Sequence, residues 1–334
     1  MRRISRLSKL RKLGVTVGIF VLGVIALQGS REGTPVGSLH KASQLSDQMY
    51  RAIEAGRGMM RHRRFAYVMF LNSAYIPFTQ SWICNTLLED ETVLQNTIFF
   101  ADCTETRIEL ESFRSDIDVF TIPIELSGSL EYGHLDYYQL TLHRLKIQNE
   151  LLQNGISVML VEADAAWLKP GVDSQLSQLF RLHEIISADN HNYATDAKEI
   201  SAGFSGYKST PSVKKLFSTY VRRYEATLKK YEGQGGFIGD VGEQVLLSRM
   251  LSTLKFNVHW LDSCEYASGA WYTFKEYSAR CELSTVKVLQ NNYLLGNEAK
   301  VTRAKLWGHW YLDSDEKRCS NKRSSPGVAQ LATS

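Results

Sequence analysis

Short continuous runs of apolar residues alternate along this chain with stretches of helical periodicity. Four runs are typical of buried strands: residues 65–71, 96–102, 117–124 and 158–161. A helix is predicted over 78–88, and another where apolar residues recur at three, four, three and seven positions, at Leu135, Tyr138, Leu142, Leu145 and Leu152. The alternation predicts an α/β fold with a doubly wound, mostly parallel, Rossmann-like sheet.

The first 27 residues have a different pattern. Six basic residues lie within residues 1–12, and the uncharged segment 13–27, "LGVTVGIFVLGVIAL", follows them. Its length lies between that of a signal-peptide core and the ~20 residues of an ordinary spanning helix. Because basic flanks stay in the cytosol, we expect a cytosolic tail, a single-pass type II anchor over 13–27 and a lumenal remainder. A cleaved signal peptide is the alternative.

The rest of the chain divides by composition. Residues 28–64 show little sustained apolar periodicity and are predicted to form a stem, followed by a catalytic domain over 65–319 and a flexible tail over 320–334. The 334 residues, 44% of them hydrophobic, suffice for a sizeable core. Much of the basic excess behind the net charge of +4 precedes residue 65, so we expect no nucleic-acid partner.

Five cysteines are present, at 84, 103, 264, 281 and 319, without a zinc-binding spacing. In an oxidising lumen they predict one or two disulfides and one remaining thiol. Cys264 and Cys281 are candidates to close the loop between them.

Two carboxylates end the predicted strand 158–161 in the sequence "VMLVEADAAWL". Glu162 and Asp164 are two residues apart, so in an extended chain they point to the same side. Ligands of such sheets bind beyond the carboxyl ends of the strands. Paired carboxylate oxygens suit Mg²⁺ or Mn²⁺, and such a metal suits a diphosphate. Acidic pairs at strand ends also act as caps or ion pairs, and this alternative stays open.

The surroundings of this pair resemble the nucleotide-diphospho-sugar transferase family of glycosyltransferases. The family pattern is a helix with a Lys, a Leu pair, a Gly, a hydrophobic strand and a D-x-D motif followed by an aromatic residue and a Pro. Residues 142–170, "LHRLKIQNELLQNGISVMLVEADAAWLKP", are similar to it. Segments 202–210, 239–251 and 289–313 resemble further family segments in the expected order.

The resemblance implies a glycosyltransferase A-type fold and location in the Golgi membrane. It also implies transfer of a sugar from a nucleotide diphosphate, usually UDP, to a glycan or glycoprotein acceptor, with Mn²⁺ (or Mg²⁺) as cofactor; some members retain the anomeric configuration. One departure is Glu162, where the family usually has Asp. A catalytically weak or inactive carbohydrate- or nucleotide-binding protein of the same fold is therefore the alternative.

The resemblance and the strand ends together give the candidate site residues. The candidate metal ligands are Asp164, Glu162 and His309, although His309 would equally fit a core position between Trp307 and Trp310. The candidates for donor binding are Asn72, Asp102, Lys146 and Glu162. The acceptor-side catalytic candidates are Asp240, Glu243 and Gln244; a helix cap formed by Asp240 with Glu243 is the alternative for that pair.

Overall fold

The computed structural model describes residues 36–122, 130–190, 198–239 and 241–320, with side chains from residue 47 onward. The helices in these ranges are α1 Val36–Met60, α2 Ile76–Glu89, α3 Glu91–Gln95, α4 Thr104–Phe113, α5 Leu135–Gln153, α6 Val172–Leu182, α7 Pro211–Leu228, α8 Glu243–Leu254, α9 Ala270–Thr273, α10 Lys275–Arg280 and α11 Asn297–Leu306. The strands are β1 Ala66–Leu71, β2 Thr97–Ala101, β3 Asp118–Thr121, β4 Val158–Val161, β5 Ala166–Trp167, β6 Ile185–Asp189, β7 Ile200–Tyr207, β8 Val258–Trp260, β9 Tyr266–Ala267 and β10 Val288–Leu289.

Seven strands form the main sheet in the order β3-β2-β1-β4-β7-β6-β8. Strand β7 runs antiparallel to both of its neighbours, and the other pairs are parallel. The four predicted strands are β1 to β4, and residues 202–207 of the predicted 202–210 segment lie in β7. Leu71 is in register with Ala101, so the residues that follow β1 and β2 meet at one edge of the sheet. The prediction of a mostly parallel α/β sheet is confirmed.

Helices cover both faces of this sheet, as a doubly wound fold requires. On one face, Trp82 of α2, Leu110 of α4 and Phe180 of α6 belong to one buried cluster. On the other face, helices α1, α5, α7 and α8 contribute to a second cluster, which includes Phe217 and Leu251. All residues of β2 are buried because both faces are covered, and this explains its uninterrupted apolar sequence.

A small second sheet, in the order β5-β10-β9, lies beside the main one. Its neighbourhood is closed by the Cys264–Cys281 disulfide, the pairing that the sequence suggested. A second disulfide joins Cys84 to Cys319, while Cys103 has a free thiol. The expectation of at most two disulfides and one remaining thiol is confirmed.

Helix α1 differs from the stem predicted for residues 28–64. Ala52 and Ile53 of α1 are buried, and the side chain of Gln48 accepts a hydrogen bond from the backbone of Thr121 in β3. Gly56 lies so close to Ile156 that a Cβ atom there would collide with it. Met49 and Met59 pack against the same core cluster, so the contact stripe of α1 has the apolar spacing of a helix, which the prediction of a stem overlooked. Residues 48–60 are therefore part of the folded domain.

The predicted anchor at residues 13–27 lies outside the described residues, as does the tail from residue 321 onward. Within the described part of the chain, no helix combines the length and apolar character needed to cross a bilayer.

Candidate active site

Asp164 forms a close ion pair with a lysine from the C-terminal part of the chain. The Lys300 ammonium lies 2.6 Å from Asp164 Oδ2, and the side chains are 14% and 2% exposed, respectively. The second oxygen, Asp164 Oδ1, is buried and has no hydrogen-bond partner among the described residues. Burial by itself lowers the pKa of Lys300, but Asp164 and its neighbours outweigh this effect and raise the pKa. Lys300 is thus held as a cation in a pair that is largely shielded from solvent.

Glu162 is paired with a different cation. Its Oε1 lies 3.6 Å from Arg144 Nη1, and Arg144 also donates to the backbone oxygen of Ala202 at 3.2 Å. Loss of hydration and the negative charge of Asp164 raise the pKa of Glu162, whereas Arg144 lowers it. Gly203 leaves room for this carboxylate, because a Cβ atom at that position would overlap it. Arg144 and Lys300 therefore each hold one of the two carboxylates.

Lys146 does not face the site, contrary to the prediction. Its ammonium lies 2.6 Å from Glu225 of α7, and both side chains are about half exposed. Residues two apart on a helix point roughly 200° apart. The face of α5 that turns Arg144 towards Glu162 therefore turns Lys146 away from it. The position of the cation on this helix was mispredicted by two residues.

Asn72 and Asp102 lie together at the carboxyl edge, as the sequence predicts. They follow β1 and β2 directly, and the backbone nitrogen of Asp102 donates to Leu71 at 3.1 Å. Both side chains are buried, at 5% and 3% exposure. Asp102 Oδ1 makes no hydrogen bond within the described residues. A buried acceptor without a partner is unfavourable unless a ligand supplies one.

The acceptor-side candidates lie beside Arg144. Glu243, Gln244 and Arg144 line a common cleft. Gln244 Oε1 accepts from the backbone nitrogen of Ala202 at 3.1 Å, which joins the start of α8 to β7. The N-cap residue of α8 is Gly242. Asp240 itself lies outside the described residues.

His309 is buried and hydrogen-bonded within the protein. Its Nδ1 lies 2.6 Å from the hydroxyl oxygen of Tyr272, and burial lowers its pKa to about 4. It lines a cleft together with Asp164 and Trp310. The ring is therefore neutral at physiological pH and lies in the same cleft as Asp164, while one of its nitrogens is already engaged by Tyr272.

The arrangement does not fit a divalent cation well. Among the described residues, no group of three or more His, Cys, Asp or Glu side chains is placed to hold a metal. The three predicted ligands, Asp164, Glu162 and His309, are engaged by Lys300, Arg144 and Tyr272 respectively. The unpartnered Asp164 Oδ1 is available, but a metal there would share one carboxylate with an ammonium group, and like charges that close repel each other.

Three basic residues converge here that the sequence did not single out. Arg144 comes from α5, and Lys300 and Arg303 come from successive turns of one face of α11. Arg303 donates to Asn291 Oδ1 and to the backbone oxygen of Asn292, each at 2.6 Å. Segment 289–313 was recognised from the sequence, but which of its basic residues would reach the carboxylates depends on contacts across more than 130 residues.

Comparison with known protein families assigns the chain to one of them. The sequence profile of the nucleotide-diphospho-sugar transferase family matches residues 94–304, more than half of the chain. No curated protein shows significant similarity to it. Among solved structures, the chain is similar to the glycosyltransferase GlyE of Streptococcus pneumoniae (16% identity over 78% of this chain and 66% of that one, TM-score 0.46). Mouse xyloside xylosyltransferase 1 is also similar (12% identity over 69% and 98% of the two chains, TM-score 0.45). So is the galactosyltransferase LgtC, solved with donor and acceptor sugar analogs (12% over 68% and 86%, TM-score 0.43). The chain therefore belongs to the nucleotide-diphospho-sugar transferase family.

Proposed function

We propose that this enzyme transfers a sugar from a UDP-sugar to a glycan or glycoprotein acceptor. The observation that supports this most directly is the convergence of Arg144, Lys300 and Arg303 around Glu162 and Asp164 at the carboxyl edge of the sheet. This edge is where open α/β sheets bind their ligands. The choice of UDP follows the family resemblance.

The basic residues act on the diphosphate of the donor. Cleavage of the bond between the sugar and the diphosphate leaves negative charge on the departing diphosphate oxygens. Arg144 and Lys300 are fixed by their carboxylate partners before the donor arrives, so they stabilise this charge without reorganising during the reaction. Glu162 and Asp164 hold these cations in place, and Asp164 Oδ1 remains available to accept a hydroxyl hydrogen from the donor sugar.

The nucleoside is placed against the ends of β1 and β2. Asp102 Oδ1 is buried without a hydrogen-bond partner in the described part of the chain. A ribose hydroxyl or the N–H of a uracil ring would supply the missing hydrogen. Asn72, adjacent at the same edge, has a side-chain amide that both donates and accepts.

The acceptor is placed on the side of α8. Glu243 lies within electrostatic reach of Glu162, Arg144 and the Tyr137 hydroxyl. It is the described carboxylate best placed to accept a proton or hydrogen bond from an acceptor hydroxyl. Gln244, anchored on Ala202, positions the first turn of the helix that presents it.

A nucleotide-release assay tests the proposal. The full chain is incubated with a panel of UDP-sugars, with and without Mn²⁺, and release of UDP is measured. We expect release for at least one donor, and at least ~10-fold less for Arg144→Met, because a charge-assisted contact to the diphosphate is lost. UDP binding without turnover for any donor would instead support the inactive binding protein, and no binding of UDP would contradict the assignment of the nucleotide.

We further propose that the enzyme is a single-pass type II protein of the Golgi membrane with its catalytic domain in the lumen. The basic tail and apolar segment 1–27 support this proposal, as do the two disulfides, because such bonds persist in oxidising compartments. Protease treatment of sealed microsomes should spare the domain, and digestion of the domain without detergent would contradict this orientation.

A further inference from the structure

Lys300 occupies the position on Asp164 at which a divalent cation would be expected in this family. Its ammonium contacts Asp164 Oδ2 at 2.6 Å, is within electrostatic reach of Glu162 and lies 5.9 Å from the centre of the Tyr75 ring. This position next to both carboxylates is where a bound cation would neutralise them. The side chain of Lys300 is only 14% exposed, so water does little to screen its charge.

The helix that bears Lys300 is held on both sides of it. Before Lys300, the side chain of Asn297 donates to the backbone oxygen of Ala74 at 3.0 Å. The backbone oxygen of Lys300 itself accepts from Asn291 Nδ2 at 3.0 Å, and Arg303 binds the same asparagine at Oδ1. These contacts fix the α11 backbone against the loops at the edge of the sheet. Lys300 is thus a preorganised cation rather than a mobile surface lysine.

Charged groups of both signs face the site from the described elements around it. The carboxylates are Glu162 and Asp164 after β4, Glu243 at the start of α8 and Asp102 after β2; the basic groups are Arg144 on α5 and Lys300 and Arg303 on α11. Each carboxylate that follows β4 already has its own cation, Arg144 for Glu162 and Lys300 for Asp164. A divalent cation would therefore compete with an ammonium group for Asp164.

We propose that Lys300 replaces the divalent metal in this enzyme, so that its nucleotide-diphosphate donor binds without Mn²⁺ or Mg²⁺. This inference rests on the proposed function, because it concerns the same donor. It departs from the metal dependence that the family resemblance implies. The Lys300 ammonium bridges Asp164 and the donor diphosphate.

Calorimetric titration of the full chain with UDP, in excess EDTA and in excess Mn²⁺, tests the inference without relying on catalysis. Wild type is expected to bind UDP with a Kd that agrees within about threefold between the two conditions. In EDTA, Lys300→Met should weaken UDP binding by ~10-fold or more, because a charge-assisted contact is lost. Lys300→Arg should retain most of the affinity. Lys305→Met is the matched control, because Lys305 lies on the same helix, is half exposed and pairs with Glu316.

Titration with Mn²⁺ alone gives a second readout, in which Lys300→Met is expected to gain metal affinity. Removal of the ammonium frees Asp164 Oδ2 beside the already unpartnered Oδ1, so Lys300→Met should bind Mn²⁺ more tightly than wild type. Asp164→Asn in the same background should abolish that gain. A misfolded protein would not acquire Mn²⁺ affinity that depends on Asp164.

The outcomes separate this inference from the proposed function. If wild type binds UDP only with Mn²⁺, the inference is overturned and the glycosyltransferase proposal stands. If UDP binds in neither condition, the proposed UDP donor fails, and the inference fails with it. If Mn²⁺ binds wild type and Lys300→Met equally well, Lys300 does not occupy the metal position.

Discussion

The side-chain amide of Asn85 pairs with both backbone polar groups of Trp167. Asn85 Nδ2 donates to the Trp167 oxygen at 2.7 Å, and the Trp167 nitrogen donates to Asn85 Oδ1 at 2.6 Å. Both residues are buried, and the amide makes the two hydrogen bonds to the Trp167 backbone that a neighbouring strand would otherwise make. The pair connects α2 to β5, directly after the segment that contains Glu162 and Asp164, and so fixes the end of the carboxylate loop.

Asn85→Ala should therefore lower the free energy of unfolding by about 3 kcal/mol, because two buried backbone groups lose their partners. Urea denaturation measures this change. Asn257→Ala, at an exposed position between α8 and β8, is a suitable control and should change stability by no more than ~0.5 kcal/mol. Equal effects of the two substitutions would show that the Asn85 pair adds nothing specific.

Arg144 and Lys146 provide a test of which face of α5 meets the donor. Arg144→Met should weaken UDP binding by ~10-fold or more, since the guanidinium that holds Glu162 is removed. Lys146→Met removes the same charge from the opposite face and should leave the Kd unchanged. Calorimetry compares the two variants, and a loss of affinity in Lys146→Met would restore the assignment made from the sequence.

The contrast between these two residues shows what the sequence can predict here. Strands β1 to β4 and the carboxylates at the end of β4 follow from local patterns, because a buried strand must be apolar and an abrupt carboxylate marks its end. Which face of α5 turns towards the site depends on how the helix packs on the sheet. Local spacing therefore did not settle whether residue 144 or 146 points inward.

Contacts between distant parts of the chain were harder to predict from the sequence than the strands. Lys300 reaches Asp164 across 136 residues, and Cys84 reaches Cys319 across 235. The Cys264–Cys281 disulfide could be suggested because the two cysteines lie only 17 residues apart. The ion pair between Lys300 and Asp164 could not be predicted in this way. Without the fold, nothing in segment 289–313 distinguishes Lys300 from Lys305.

His309 should make the stability of the protein pH-dependent. Burial lowers its pKa from the ordinary 6.5 to about 4 in the folded state, so the unfolded state binds the proton more readily. Stability is therefore fully present above pH 6.5, falls as the pH drops below that value and stops falling near pH 4. At pH 5 the loss attributable to His309 is about 2 kcal/mol.

Urea denaturation at about pH 7.5 and about pH 5 measures this effect in wild type and in His309→Asn, which has no titrating ring. The decrease between the two pH values should be smaller in the variant by about 2 kcal/mol. Identical decreases in both proteins would mean that His309 is accessible to protons in the folded state.

The Cys84–Cys319 disulfide should contribute measurably to stability, because it closes a loop of more than 230 residues. Replacement of both cysteines by Ala is expected to lower the free energy of unfolding by about 2 to 5 kcal/mol. Cys103→Ser is the control, since Cys103 is not disulfide-bonded and a serine preserves the cap that its side chain provides for α4. A loss in the control as large as that in the double variant would argue against a specific effect of the bond.

The docking of α1 on the sheet limits how far the folded domain can extend from a membrane anchored at residues 13–27. The first contact of this helix with the sheet described above is made by Gln48, bonded to Thr121. If residues 13–27 span the bilayer, the reach from the bilayer is set by residues 28–35, at most ~28 Å when extended, and by the first 12 residues of α1, ~18 Å as helix. The contact of α1 with the sheet would then lie within about 50 Å of the lipid surface, and this short tether favours acceptors that are themselves attached to the membrane or held close to it.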